Sequence, residues 1–358
     1  ANHKQGQIMA YGHQRHASCR VAAHCLGEEE LRLWERRASD GRTPLFVLVY
    51  DWQDDTSLAK AFLEAGAKAT VKDANLNTPL HFAGNRSFAE LLLEHGADLF
   101  AKNINGKTSF HNACEFWRLD VIEFLLSKGA IVDETATEKQ RTPLLFATYP
   151  SRHKWSPYHK RQEEVVRLLL ARGANVQATD SDGQTVLHNL ARTADVDLVR
   201  LVVEHGADVC AITSNGETAL HSVCDMSDTA EIKLIDRLTI IRFLLDHGAN
   251  INAQDQNGTT PLHVSWSCAH YFTRPGYSRC FSPDLFNLLL KQGADRFATD
   301  KQMRTPTDLI DHEMWMWSED GFVCPKPKPV WNLPTRGGRG GRGGRGRGSW
   351  TRGPSRGN

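Results

Sequence analysis

Apolar residues recur along this chain in short runs at helical spacing, not in strand-like alternation. Val165-Val166-Arg167-Leu168-Leu169-Leu170 and Leu91-Leu92-Leu93 are typical. Each is long enough for the buried face of a short helix and far below the roughly 18 consecutive apolar residues of a membrane span. These runs close on Gly-Ala, which stands at Gly66, Gly96, Gly129, Gly173, Gly206, Gly248 and Gly293. Glycine takes the left-handed conformation that ends a helix, and the alanine after it lets neighbours approach closely.

A second signal precedes each run. Thr-Pro-Leu or a close variant opens at Thr43, Thr78, Thr108, Thr142, Thr185, Thr218, Thr260 and Thr305. A threonine hydroxyl can accept a backbone N–H at a helix start, and proline at the first helical position leaves no donor unpaired. Between each glycine and the next threonine lies a polar stretch with turn signals such as Asp182-Gly183, Asn215-Gly216 and Asn257-Gly258. This predicts a hairpin-like finger. The unit is therefore helix, turn, helix, finger, and one such pair cannot bury its own apolar face, so stability has to come from stacking.

Successive threonines are 35, 30, 34, 43, 33, 42 and 45 residues apart. From glycine to the next threonine the step is 12 residues, except 13 between Gly129 and Thr142, so the finger is nearly constant. The variation falls at the turn between the two helices. The fourth, sixth and seventh units carry insertions there, which places protrusions along one edge, and insertions on one side often mark a binding face. The second unit is the shortest, with Gly84-Asn85 inside its first helix, and a shortened helix is expected.

Thr78-Pro79-Leu80-His81, Leu91-Leu92-Leu93-Glu94-His95-Gly96-Ala97-Asp98 and Thr260-Pro261-Leu262-His263 resemble the ankyrin repeat closely. The resemblance covers residues 39 to 316, about seven full repeats and a partial one. It implies an all-α solenoid of helix-turn-helix units with β-hairpin-like fingers. It also implies that His81, His111, His188, His221 and His263 link neighbouring repeats by hydrogen bonds. Phe46, Leu145 and Asp308 stand where that histidine is usual. Residues 1–38 are expected to hold a degenerate capping repeat around Glu28 to Arg37, and Met314 to Trp317 to cover the far end, because a terminal repeat otherwise leaves its stacking face in water.

The chain has 358 residues, 40% hydrophobic, with a net charge of +1. That near-neutrality hides a division. Residues 325–358 hold two lysines and seven arginines with no acid, a charge of +9 that leaves −8 on everything before them. Arg336, Arg339 and Arg342 each precede Gly-Gly, and Arg345, Arg347, Arg352 and Arg356 each precede a single glycine. The segment 336–358 resembles an RGG box. Too apolar-poor to offset its ordering entropy, it is expected to be disordered after a 317–335 linker. Guanidinium groups bridge phosphates and stack on bases, so the resemblance implies RNA binding or arginine methylation.

Two insertions interleave cations with aromatic rings. The fourth repeat's has Arg152, Lys154, Trp155, Tyr158, Lys160 and Arg161, and the seventh's has Tyr271, Arg274, Tyr277 and Arg279, both without an acid. Such loops suit a protein partner or unstacked bases, unless they fold back over neighbouring helices. The sixth repeat's insertion is acidic instead, with Asp225, Asp228, Glu231 and Asp236.

Candidate chemistry is sparse. The eight cysteines form no Cys-x-x-Cys pair, which argues against a zinc ribbon or a disulfide framework and for a reducing compartment. His13, His16, Cys19, His24 and Cys25 lie close together, but no second pair at zinc-finger spacing follows; Cys268, His270 and Cys280 are no better. Cys114, Cys210 and Cys224 are expected to be small buried apolar groups. No residue is assigned to catalysis, to a metal or to a cofactor.

The reading is a non-catalytic, monomeric, intracellular scaffold of cytoplasm or nucleus, free of membrane spans. It binds a protein through its fingers, inner helices or loops, and carries an Arg-Gly tail for RNA or methylation. Two alternatives stand beside it. One is an RNA-associated protein whose basic loops cooperate with the tail; the other is the recognition part of a larger enzyme or ubiquitin-ligase adaptor.

Overall fold

The computed structural model describes residues 38–49, 56–149, 159–225, 234–267, 283–309, 316–318 and 321–323. Helices alternate between an inner and an outer layer. The inner layer holds α1 (Pro44–Val49), a 3-10 turn (Pro79–Phe82), α4 (Ser109–Glu115), α6 (Pro143–Thr148), α8 (Val186–Thr193), α10 (Ala219–Cys224) and α12 (Pro261–Ser267). The outer layer holds α2 (Ser57–Glu64), α3 (Arg86–Glu94), α5 (Leu119–Ser127), α7 (His159–Ala171), α9 (Val196–Glu204), α11 (Leu234–Asp246) and α13 (Pro283–Lys291). Each inner helix packs on its own outer helix and on the inner helices beside it. One apolar core runs the length of the stack, from Leu45 to Ala294. The fold is the helical solenoid expected, and no described helix is long and apolar enough to cross a membrane.

The fingers are joined by their backbones. The tip residue of each donates its N–H to the preceding finger: Ala74 to Asp40, Ile104 to Asn75, Glu138 to Asn105, Ser181 to Lys139, Ser214 to Asp182, Gln256 to Asn215 and Lys301 to Asn257, all at 2.8–3.0 Å. Within a finger, one side chain holds the turn. Asp180 Oδ1 accepts the N–H groups of Asp182 and Gln184 at 3.0 Å each, and Asp73, Asn103, Thr213, Asp255 and Asp300 repeat the arrangement. The tight turn needs positive φ. Gly106 supplies it at +70°, and a Cβ there would lie 2.5 Å from the backbone nitrogen of Thr137 in the next finger, so no other residue fits.

The five repeat histidines link neighbours as expected. Each accepts the N–H of its threonine at Nδ1, at 3.0–3.3 Å, which puts the ring proton on Nε2. Nε2–H then donates across the repeat boundary: His81 to Lys107 O, His111 to Glu134 O, His188 to Glu217 O, His221 to Thr259 O and His263 to Arg304 O. The target is the residue before the next threonine except for His111, whose target is Glu134 and not Arg141. The threonine hydroxyl caps the helix as expected and does more. It accepts the helix N–H at Thr142 and Thr185, both at 3.4 Å, and where a histidine follows it also contacts the ring, 2.9 Å at Thr78 and Thr108.

Departures in the repeat wording have local consequences. Asp308 keeps half of the histidine's role, its carboxylate accepting the Thr305 N–H at 2.7 Å. Phe46 packs edge-on against Phe82, ring centres 6.0 Å apart. The second repeat's first helix shrinks to a single 3-10 turn, because Gly84 ends it and Asn85 caps α3 by accepting the Phe88 N–H at 3.0 Å. Past the last repeat, β1 (Met316–Ser318) and β2 (Gly321–Val323) form an antiparallel hairpin, and β2 lies beside α13.

Candidate functional site

Finger bases and inner-helix ends face each other across a groove. Lys107, before Thr108, reaches Glu115 at the end of α4 at 2.9 Å and lies 4.2 Å over the ring of Phe146 in the next repeat. Arg42 stands likewise over Phe82, at 4.7 Å. Arg141 lies 4.0 Å over the ring of Tyr149, which follows α6, and its Nε is 3.2 Å from Asp180. The arrangement is set by the repeat itself: the residue before the threonine leaves the finger pointing along the groove, where the inner helix ends.

Charge varies along this groove. Glu217 occupies the same place as Lys107 and Arg141 but is anionic, and burial pushes its carboxyl pKa up, opposed by Arg192 and reinforced by Asp255 and Asp225. Burial lowers the pKa of His81, His188 and His221 and takes that of His111 down to about 4. They are spent on backbone hydrogen bonds. Among the described residues no group of His, Cys, Asp or Glu could hold a metal ion. Cys114 and Cys224 are buried as expected, but Cys210 is exposed. It sits on the finger between Gly206 and Thr218, in the turn that follows Asp208, and its thiol points at Gly248 O, 3.6 Å away.

The described structure ends at the roots of the inserted loops. Arg152, Lys154, Trp155, Tyr158, Tyr271, Arg274, Tyr277 and Arg279 lie outside the described residues, as do the cluster His13 to Cys25, the set Cys268, His270 and Cys280, and the tail arginines 336 to 356. Lys160 is on α7, and Arg161 is exposed there. Sequence reasoning missed two polar side chains that join the outer helix after an insertion to the inner helix before it. Gln162 and Arg237 are each the fourth residue of the outer helix that follows an insertion, and both are buried. Gln162 donates to Ala147 O at 2.9 Å. Arg237 donates to Val223 O and Asp225 O, closing the end of α10. The same position before the closing glycine is polar in other repeats, at Asn85, Arg118 and Asp195, and that recurrence was the available signal.

Two family models match, both described as ankyrin repeats, one over residues 158–238 and one over residues 87–126 and 236–272. The chain is 28% identical over 173 residues, 46% of its length, to the transient receptor potential cation channel subfamily A member 1 of Drosophila melanogaster. It is 28% identical over 155 residues (41%) to the B-cell lymphoma 3 protein homolog of Mus musculus, and 31% identical over 125 residues (34%) to mouse Rabankyrin-5. It covers 13%, 32% and 11% of these relatives.

Proposed function

We infer, from the ankyrin repeats that this chain carries, that it works as a protein–protein interaction scaffold without chemistry of its own. The observation that carries this is the groove, a continuous row of finger bases and inner-helix ends whose side chains change from repeat to repeat while the backbone does not. Specificity in such a design lives in those side chains. The relatives support protein binding by their repeats and nothing narrower.

We assign partner contact to Arg152, Lys154, Trp155, Tyr158, Lys160 and Arg161 in one basic, aromatic insertion, and to Tyr271, Arg274, Tyr277 and Arg279 in the other. Arg336, Arg339, Arg342, Arg345, Arg347, Arg352 and Arg356 form a separate arm that binds single-stranded RNA or is methylated. Its charge without acids and its spacing support this.

The test compares the full chain with a form ending at Cys324. Expected is salt-sensitive RNA binding by the full chain alone, with protein capture retained by both. RNA binding that survives truncation would move the RNA surface to the loops. Failure of both forms to retain any protein partner would overturn the scaffold reading.

A further inference from the structure

Fingers also tie to the next repeat through one side chain, the fourth residue after the closing glycine. Gln177 does this fully, its carboxamide donating to Gly206 O and accepting the Asp208 N–H. Asn252 repeats the pair on Gly293 O and the Asp295 N–H, at 3.3 and 2.8 Å. Asp133 can only accept, and takes the Asn175 N–H; Cys210 only donates, to Gly248 O. In the finger 96–107 the same place holds Phe100, whose ring can do neither. Gly129 O and the Ile131 N–H therefore have no protein partner among the described residues. The register is unchanged there, since Lys102 reaches across to Glu134 at 2.8 Å. Both walls of this open socket are apolar and half exposed, Phe100 at 50% and Ile131 at 54%. Thr70 makes neither bond at the boundary before, but Asp98 stands there in place of the isoleucine.

We propose that this socket captures a Gln or Asn carboxamide from a bound protein, with an apolar neighbour of that residue packed on Phe100 and Ile131. The proposal rests on the scaffold reading and adds a contact point and its chemistry. Hydrogen bonding selects the occupant, not charge. Gly129 O needs a donor and the Ile131 N–H an acceptor, side by side. A primary carboxamide presents its oxygen and one N–H on the same side, and Gln177 and Asn252 use theirs in this way within the chain itself. A trans peptide group points its two in opposite directions, and a carboxylate only accepts. Nearby charges are already engaged: Lys102 with Glu134, Asp98 with the Phe100 N–H at 2.9 Å and Asp133 with the Asn175 N–H. Asp98 and Asp133 also stand two residues from the walls, where their charge disfavours a carboxylate or a nucleotide phosphate. Covering the half-exposed Phe100 and Ile131 supplies the apolar part of the contact.

The experiment titrates the isotope-labelled full chain with the peptide Gly-Leu-Gln-Leu-Gly, its counterpart Gly-Leu-Glu-Leu-Gly and adenosine monophosphate, following backbone amides by NMR. Expected is a saturable shift of the Ile131 N–H with the Gln peptide. The Glu peptide should bind about tenfold more weakly, because it loses the donor to Gly129 O and meets Asp98 and Asp133. Phe100→Gln should fill the socket from within, as Gln177 does, and abolish the shift without lowering the melting temperature. Phe100→Ala removes a wall but leaves the socket open, so the shift should persist with affinity about tenfold lower. The comparison of the two peptides on the unaltered chain stands whether or not Phe100→Gln folds. Equal affinity for both peptides, a larger Ile131 shift with adenosine monophosphate, a shift that survives in folded Phe100→Gln, or no saturable shift at Ile131 would each overturn the proposal. A native partner captured equally well by folded Phe100→Gln would overturn this contact while leaving the scaffold reading intact. Loss of all protein capture by the unaltered chain would remove both.

Discussion

His111 and Glu134 join two repeats through one proton. The imidazole Nε2–H donates to Glu134 O at 2.8 Å, and this bond exists only while Nδ1 is free to accept the Thr108 N–H at 3.1 Å. Protonating the ring turns Nδ1 into a donor facing a donor. Burial already opposes that, holding the folded-state pKa at about 4 against 6.5. The unfolded chain therefore binds more protons between those values, and stability rises with pH through this window and falls as pH drops through it. A shift of this size corresponds to about 3 kcal/mol lost at the acid end. His81, His188 and His221 are shifted the same way. Urea midpoints should fall steadily from pH 7 to pH 4, and His111→Gln should flatten that slope; an unchanged midpoint across the window would refute the account.

Much of this was legible in the chain. Helix ends, fingers and the histidine links follow from Thr-Pro-Leu-His and Gly-Ala, because each of those residues answers a local need for a cap, a left-handed turn or a ring acceptor. The shortened second repeat could be read from Gly84-Asn85 for the same reason. The groove could not, since Lys107 and Phe146 belong to different repeats and no period marks them, or Lys107 and Glu115, as partners. Cys210 was misjudged because a small apolar residue is often buried, whereas this position belongs to a polar finger.

Leu145 interrupts the histidine series, so the boundary between repeats 4 and 5 lacks that link. Leu145→His should restore a ring acceptor for the Thr142 N–H and aim Nε2–H at Gln184 O, the residue before the next threonine. A gain of about 1 kcal/mol is expected from two buried hydrogen bonds, less the lost apolar packing. Calorimetry of the variant decides it, and a loss beyond about 2 kcal/mol would mean that the leucine packing outweighs the link.

Arg237 is buried among carbonyls that end inner helices. Its guanidinium donates to Val223 O and Asp225 O and lies 3.5 Å from Arg192 O in the preceding repeat. Arg237→Met keeps the volume and removes the donors, which should cost about 2–3 kcal/mol because the carbonyls are left without partners. Amide exchange measured by NMR should quicken first in α10, while α4 stays protected; uniform quickening along the stack would point to global loss instead.

Leu76 sits in the finger turn at the place where Gly106 and Gly183 stand in later fingers. Its φ is +60°, in the left-handed region that glycine enters without a steric penalty. The side chain gains little in return, since 45% of its surface is exposed. Leu76→Gly should therefore stabilise the protein by about 1 kcal/mol, the strain relieved exceeding the extra entropy of an unfolded glycine. Gly106→Ala is the opposite case, because the added Cβ meets Thr137 nitrogen at 2.5 Å and an L-residue is forced to positive φ. A loss of more than about 2 kcal/mol is expected there. Melting temperatures of the pair test one idea from both sides. If both variants lose stability, the finger turns are held by their side chains, not by backbone conformation.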